Sequence, residues 1–492
     1  MELSILSKTE PIGREASRQT KTVRLTMESV VPDTRDDIGR ILSVRPEIEL
    51  KSKELRLRGA AVEGDAAALI LYANEAGNAV SFLRLNQSFS AEFELPEADG
   101  SGRVLARFLS CAAEAKALNP RKLSVELEIL CEMSLYADGE IPVSQSLPEE
   151  LPATIHRRME ETDVCVETGG SEKTLSICEQ LPLPETCTLP AEAIGQETAF
   201  VIHGREAVGS RMLVKGDAKL RLYLLPQGAP CPLMHEVTLP FSQLLDFGDK
   251  EAETAEVWAE PSSVYVETVE SIDGQKLLNV ELHALIQARG RRTLRLTYLS
   301  DVYSNAVPCT PETETLTLIG SVEERKSVLT LEERSALPEE LEPIACYPSL
   351  GACSAGQGSL SVDLLCRNEA GDYTAIRRSF ALTPLEPSDN AATLPFTLTE
   401  FSWEKQGSEL LIRARAEGES LTAHSQEIRR VTALQLDEES CVNSAVFPTL
   451  TAVWADTESV WELAKRYHSS PEAIESMNAD LTQRPLFIPK TE

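Results

Sequence analysis

Six histidines, 11 cysteines and 78 carboxylates are the residues from which this chain could build chemistry, and their spacing decides what is possible. His156, His203, His235, His283, His424 and His468 are each isolated. There is no His-Glu-x-x-His pair and no Cys/His ligand spacing, so neither a hydrolytic nor a structural zinc centre is expected. The cysteines never form Cys-x-x-Cys and read as small buried hydrophobes in a reducing compartment. No Gly-x-x-x-x-Gly-Lys-Ser/Thr phosphate loop and no Gly-x-Ser-x-Gly elbow occurs in the sequence. Gly64-Asp65 and Gly216-Asp217 place acids beside bare backbone, and the reading is a bulge or turn entering a strand. Pairs such as Glu149-Glu150 single out nothing in so acidic a chain. No catalytic residue, metal or cofactor is expected, and the chain reads as a non-enzyme.

The balance of charge narrows the partners. The 492 residues carry a formal net charge of -31. Such a polyanion is repelled by phosphate backbones and anionic lipid, which argues against nucleic acid and membrane surfaces. A hydrophobic content of 42% is enough for real cores. No apolar run reaches the roughly 18–20 residues of a membrane span. The longest, Ala66 to Ala73, is strand-sized. The N-terminal MELSILSKTEPIGREASRQ lacks the basic start and apolar core of a signal peptide, so a cytoplasmic location is expected.

Period-2 alternation supplies the elements. Leu55-Arg56-Leu57-Arg58, Leu123 to Ile129, Leu220 to Leu224 and Leu294 to Leu299 each alternate an apolar with a polar residue, as half-buried antiparallel strands do. Helical signal is sparse, with Asp36 to Ser43 the main candidate. A longer unit recurs. Around Gly64 and Gly216 the chain reads Val-x-Gly-Asp, an apolar strand with Tyr, a glycine turn, a second strand and Phe-Ser. Phe89 and Phe241 each follow their glycine by 25 residues. A degraded third copy starts at Gly358. Further alternating runs follow each copy, at Arg121 to Leu127, Lys276 to Leu282 and Leu410 to Arg415. The expected organisation is mainly β: three tandem antiparallel domains at 1–150, 151–306 and 307–435, a linker at 436–448, and a small α+β module at 449–492.

That module carries the most specific pattern. A strand-like run from Leu450 and the closing Leu486-Phe487-Ile488-Pro489 flank two helical segments. Val460, Leu463, Ala464 and Tyr467 mark one buried helix face, and Ser459 with Glu462 forms a capping box. Ser470-Pro471 begins the second helix, which turns Ala473, Ile474 and Met477 inward and stops at Asn478. Trp461 is expected inside the module and Trp454 half exposed. This strand, helix, helix, strand order resembles a LysM module. Val460 to Tyr467 is similar to the family's LWxIAKRY run, and Asn478 and Leu486 to Pro489 fall on its helix-ending Asn and LxIP. The family's Gly-Asp-Thr entry is Thr457-Glu458-Ser459 here. The resemblance implies a groove that grips N-acetylglucosamine of peptidoglycan or chitin. It would be lined by Asp456, Thr457, Glu458 and Ser459, and by Asn478, Ala479, Asp480 and Arg484, with Trp454 beside it.

The repeat resembles a second family. Val31 to Leu50, the strand from Val62 and the segment from Asn86 are similar to the SPOCS domain of spore-coat-associated proteins. Pro32, Asp33, Ile38, Ile41 and Leu42 fall on its PD…I…IL signature, and Gly64, Tyr72 and Phe89-Ser90 on its G…Y…FS positions. SPOCS units with a C-terminal LysM imply a non-catalytic scaffold of spore-envelope assembly, placed on the forespore surface in the mother cell and docking the coat-basement ATPase. The alternatives are a peptidoglycan-binding protein and a cell-wall hydrolase. The missing Gly-Asp-Thr and the absent secretion signal favour a protein ligand, with Trp454, Glu458, Arg466 and Arg484 as candidate contacts.

Overall fold

Strand makes up 76% of the described residues and helix 3%, so the fold is mainly β, built as several antiparallel sheets. The computed structural model describes residues 2–147, 154–271, 273–351, 353–354, 356–386, 393–394, 396–437, 448–454 and 458–491. Among them no helix is long and apolar enough to cross a membrane.

The first segment contains β1 (Glu2–Ser4), β2 (Leu6–Val30), β3 (Ile38–Arg56), β4 (Gly59–Asn74), β5 (Val80–Glu94), β6 (Arg103–Asn119) and β7 (Lys122–Ser146). Strands β3, β4 and β5 form one sheet, while β7 lies between β2 and β6 in another. The second segment repeats the plan with β8 (Ile155–Pro182), β9 (Ala191–Val208), β10 (Arg211–Pro226), β11 (Leu233–Asp246), β12 (Thr254–Glu270) and β13 (Lys276–Ser304). Here β9, β10 and β11 pair, and β13 lies between β8 and β12. The third has β14 (Cys309–Ala336), β15 (Leu341–Leu350), β16 (Cys353–Ser354), β17 (Gly358–Asn368), β18 (Tyr373–Pro384), β19 (Thr393–Leu394), β20 (Phe396–Gln406) and β21 (Glu409–Leu436). Strand β17 pairs with β15 and β18, and β21 with β14 and β20. The expected boundary at 150 and residues 438–447 of the expected linker lie outside the described residues. The boundary at 306 falls between β13 and β14.

Alternation builds each core. On β7, Leu123, Val125, Leu127 and Ile129 are buried against Ala66, Ala68, Ile70 and Tyr72 of β4. Leu278, Val280 and Leu282 meet Leu220, Leu222 and Leu224 in the second segment. Leu410 and Ile412 meet Leu360, Val362 and Leu364 in the third. Gly64 pairs with Phe89, and Gly216 with Phe241. A Cβ on these glycines would sit 2.7 and 2.8 Å from the phenylalanine rings, so each ring packs on bare backbone. In the third copy Gly358 faces Leu382 instead. Both Gly-Asp pairs lie inside strands rather than at their entry, each beside a register shift with the neighbouring strand.

Two local expectations are corrected. Ile38 to Ser43 is strand, not helix. Register shifts between Ile38 and Arg40 and between Ile41 and Ser43 add residues, so apolar positions recur every three to four and mimic a helical period. Leu57 and Arg58 form the turn between β3 and β4, which the Leu-Arg alternation conceals.

The larger departure concerns Arg221 and Tyr223 of β10, which alternation leaves to solvent but which lie at a junction with the second face of β4. Ala66 to Ala73 is buried at every position. Its second face, Leu69, Leu71 and Ala73, packs with Tyr223 of β10 and with Tyr347, Leu365 and Tyr373 of the third segment. Arg45 on β3 is 1% exposed at this three-way junction. Its Nε donates to Glu197 Oε1 at 3.0 Å and to the Tyr223 hydroxyl at 3.2 Å. One Nη donates to the Pro348 carbonyl, and the other lies 3.8 Å from Asp363. Arg221 also contacts Glu197, at 3.0 Å, and Arg377 contacts Asp363, at 2.6 Å. Burial opposes the charge on Glu197, but Arg45, Arg221 and Tyr223 outweigh it and hold its pKa below the usual carboxylate value.

The long strands extend beyond their own cores into a second junction. Val143 of β7, Val164 and Val166 of β8 and Leu296 of β13 pack together, with Leu318 of β14 beside them. The buried Gln145 accepts from Leu299 N at 3.1 Å and donates to the Val431 carbonyl at 3.4 Å, touching both other segments. Strand β1 pairs with β21, so the N-terminal residues complete the third segment's sheet. Strands β2 and β8 meet at Gly13, where a Cβ would lie 2.3 Å from Gly169 N.

Phe89→Ala is expected to cost about 3–5 kcal/mol in urea unfolding. Arg45→Met removes one of the two guanidinium groups that neutralise Glu197, Arg221 remaining, and is expected to cost about 1–3 kcal/mol at neutral pH. The pKa of Glu197 is lowered in the folded state, so its stabilisation is full above its unfolded value of about 4.3 and is lost as the pH falls. The gap between wild type and Arg45→Met should therefore narrow in acid, which unfolding midpoints measured across pH will read.

Candidate functional site

The C-terminal residues place two short helices between two paired strands. Strand β22 (Leu450–Val453) runs antiparallel to β23 (Leu486–Pro489), and α1 (Val460–Arg466) and α2 (Pro471–Met477) lie between them in sequence. Each helix starts on a local cap. Ser459 Oγ accepts from Glu462 N at 3.3 Å, while the Glu462 carboxylate accepts from Ser459 N at 2.9 Å. Ser470 Oγ accepts from Ala473 N at 3.1 Å, with Pro471 in the first turn. Helices of seven residues do not persist in water on propensity alone. What holds them is the core of Val453, Leu463, Ala464, Ile474, Leu486 and Ile488, closed by Tyr303 of β13.

Tyr303 belongs to a seam with the β body. Its hydroxyl donates to the Ser469 carbonyl at 2.8 Å. Its ring meets Trp461 edge-on at 4.9 Å between centroids and stacks on His156 at 4.9 Å. Trp461 Nε1 donates to Asp301 at 2.9 Å, and Lys465 binds the same carboxylate at 2.7 Å. Asn305 Nδ2 donates to Thr491 at 2.7 Å. Trp461 thus packs against the module's core, as expected, and also reaches across the seam. His468 is half-buried.

The expected groove residues divide by what their side chains already do. Asp456 and Thr457 lie outside the described residues. Glu458 pairs with Arg466 at 2.9 Å. Ser459 is committed to its cap. Asn478, expected at a groove, is a buried clasp. Its Nδ2 donates to the Ile474 and Phe487 carbonyls, each at 2.7 Å, and its Oδ1 accepts from Phe487 N at 2.8 Å. Ala479 is exposed. Asp480 orders the following turn by accepting from Thr482 N at 2.9 Å, and its bonds to Thr482 and Gln483 hold its pKa below the usual range. Arg484 donates to the Leu481 carbonyl at 2.7 Å.

Trp454 differs in being a large apolar side chain that is 71% exposed. It follows β22, where Leu450 and Ala452 point outward, and Ala452 faces the exposed Phe487 across the pair. Met477, expected inward, is also exposed, because Ile474 alone on α2 reaches the core. Sequence reasoning missed Leu450 and Phe487 as surface residues. Period 2 held the signal, since Phe487 stands between the buried Leu486 and Ile488. Asp301 had no signal, because its partners Trp461 and Lys465 lie some 160 residues away. The surface offers exposed apolar side chains beside polar groups already bound to one another. Such an arrangement suits contact with another surface. Among the described residues, no group of three or more His, Cys, Asp or Glu could hold a metal ion. No family model, curated protein or solved structure matches the chain.

Asn478→Ala leaves Phe487 N without its acceptor and should cost about 1–3 kcal/mol. The loss should be local. Limited proteolysis should cut the C-terminal residues of the variant while the β body keeps its unfolding midpoint.

Proposed function

We propose that this protein is a non-catalytic scaffold of spore-envelope assembly, and that its C-terminal residues are a LysM-type module docking a partner protein. The partner implied by the SPOCS and LysM resemblance is the coat-basement ATPase on the forespore surface, met from the mother-cell cytoplasm. One observation carries the choice of protein over glycan. The polar side chains expected to hold a sugar, Asn478 and Asp480, are spent on the module's own backbone, whereas Trp454 and its apolar neighbours are exposed. A glycan lectin needs free hydrogen-bonding groups around its aromatic ring; a protein interface needs an apolar anchor.

The seam with the β body supports a scaffold role. Asp301 holds Trp461 and Lys465, so the docking surface has a fixed orientation on the segments that would recruit other components. The acidic charge of the whole chain adds long-range steering toward a basic partner surface.

The test is binding of the purified full chain to the coat-basement ATPase, beside titrations with chitin oligomers and peptidoglycan fragments. Trp454→Ala should weaken ATPase binding by roughly 30-fold, the loss expected of a hot-spot aromatic worth about 2 kcal/mol. Micromolar binding to either glycan with no binding to the ATPase would overturn the proposal.

A further inference from the structure

The three segments border a partly open cavity of about 440 Å³. Its walls come from all of them: Phe108 of β6 in the first, Phe200 of β9 and Trp258 of β12 in the second, and Phe396 of β20 in the third. Its size lies within the roughly 300–1,000 Å³ of small-molecule sites. Residues 196–202 of β9 are half-buried at every position rather than alternating, and all of them line this space.

Most charges around the cavity are matched. Arg107 binds Glu256 at 2.9 Å, Arg221 binds Glu197 at 3.0 Å, and Lys219 donates to the Thr399 carbonyl at 2.8 Å. Glu47 is held by Arg84 at 2.5 Å. Glu260 is different. It lines the cavity at 7% exposure, and its Oε1 accepts from Phe108 N at 3.0 Å. Among the described residues no salt bridge engages its carboxylate, and no hydrogen bond reaches its Oε2. Burial without a counter-charge pushes its pKa up to about 8, against the weaker pull of Phe108 N–H and Arg107. A buried carboxyl with one free oxygen and aromatic walls around it is complementary to a cation on an apolar stem.

We propose that this cavity binds an alkylammonium group, with the cation on Glu260 and the alkyl chain along Phe108, Phe200 and Trp258. The group could arrive as a free amine or as a lysine side chain, and the two sources are separable. The full chain would be titrated calorimetrically at pH 8 with 1,5-diaminopentane, with acetyl-lysine amide and with neutral 1-hexanol, while the Trp258 indole resonance is followed by NMR.

At least one amine should bind with a Kd of about 1 mM or tighter. It should shift the Trp258 signal and exceed 1-hexanol by about 10-fold in affinity, the effect of one modest polar contact. Binding of the diamine alone would assign the site to free amines, and binding of the lysine probe alone to a lysine side chain. Glu260→Gln keeps an acceptor for Phe108 N–H, so it should keep the unfolding midpoint and lose the amine by about 10-fold. The proposal is overturned if neither amine binds, if 1-hexanol binds as well, if the Trp258 signal stays still, or if Glu260→Gln binds the amine like wild type.

Discussion

A buried arginine must be neutralised, and the rest of this fold is arranged so that it is. Arg45 belongs to the first segment, but Glu197 and Asp363, the carboxylates that face it, belong to the second and third. An unpaired guanidinium in a protein interior costs several kcal/mol. The junction is therefore at low energy only when all three segments are folded and in register. The same requirement explains the two-sided burial of β4. Its inner face fills its own core, and its outer face, with Tyr223, Tyr347 and Leu365, fills the space around the charges.

The long strands are the second consequence. A strand of 25 residues is far longer than one sandwich needs. In β2 and β7 one half packs in the first segment's core, and the other reaches the bundle where Val143, Val164 and Leu296 meet. Gln145 repeats in neutral form what Arg45 does with charge, satisfying one backbone group from each of the other segments. The C-terminal helices then use the end of β13 as their floor, through Asp301 and Tyr303. Their exposed surface is thereby fixed relative to the whole β body.

Much of this was legible in the sequence, and the limits have physical causes. Leu123, Val125, Leu127 and Ile129 announce a strand because a pleated surface buries every second residue. The equal Gly64–Phe89 and Gly216–Phe241 spacings announce a repeat because a ring packed on glycine fixes the register. The caps at Ser459 and Ser470 are local chemistry and are read directly. Bulges hid the strand at Ile38. Arg221 and Tyr223 looked like solvent-facing residues because a polar residue neutralised by another segment leaves no local signature. Asn478 looked like a groove residue because its type and position are the same whether its amide clasps β23 or meets a ligand. Asp301 and Glu260 had no local pattern, since what makes them distinctive is contributed by other strands.

The central claim is that the three repeats form one cooperative body through their shared junction. Native-state amide exchange, resolved at Leu71, Tyr223 and Leu365 on the three central strands, tests it most directly. With Asp363→Asn, a change confined to the third segment, the account predicts that the opening free energies at all three sites fall together by a similar amount. A fall at Leu365 alone, with Leu71 and Tyr223 unchanged, would mean that the segments are independent domains and would contradict it.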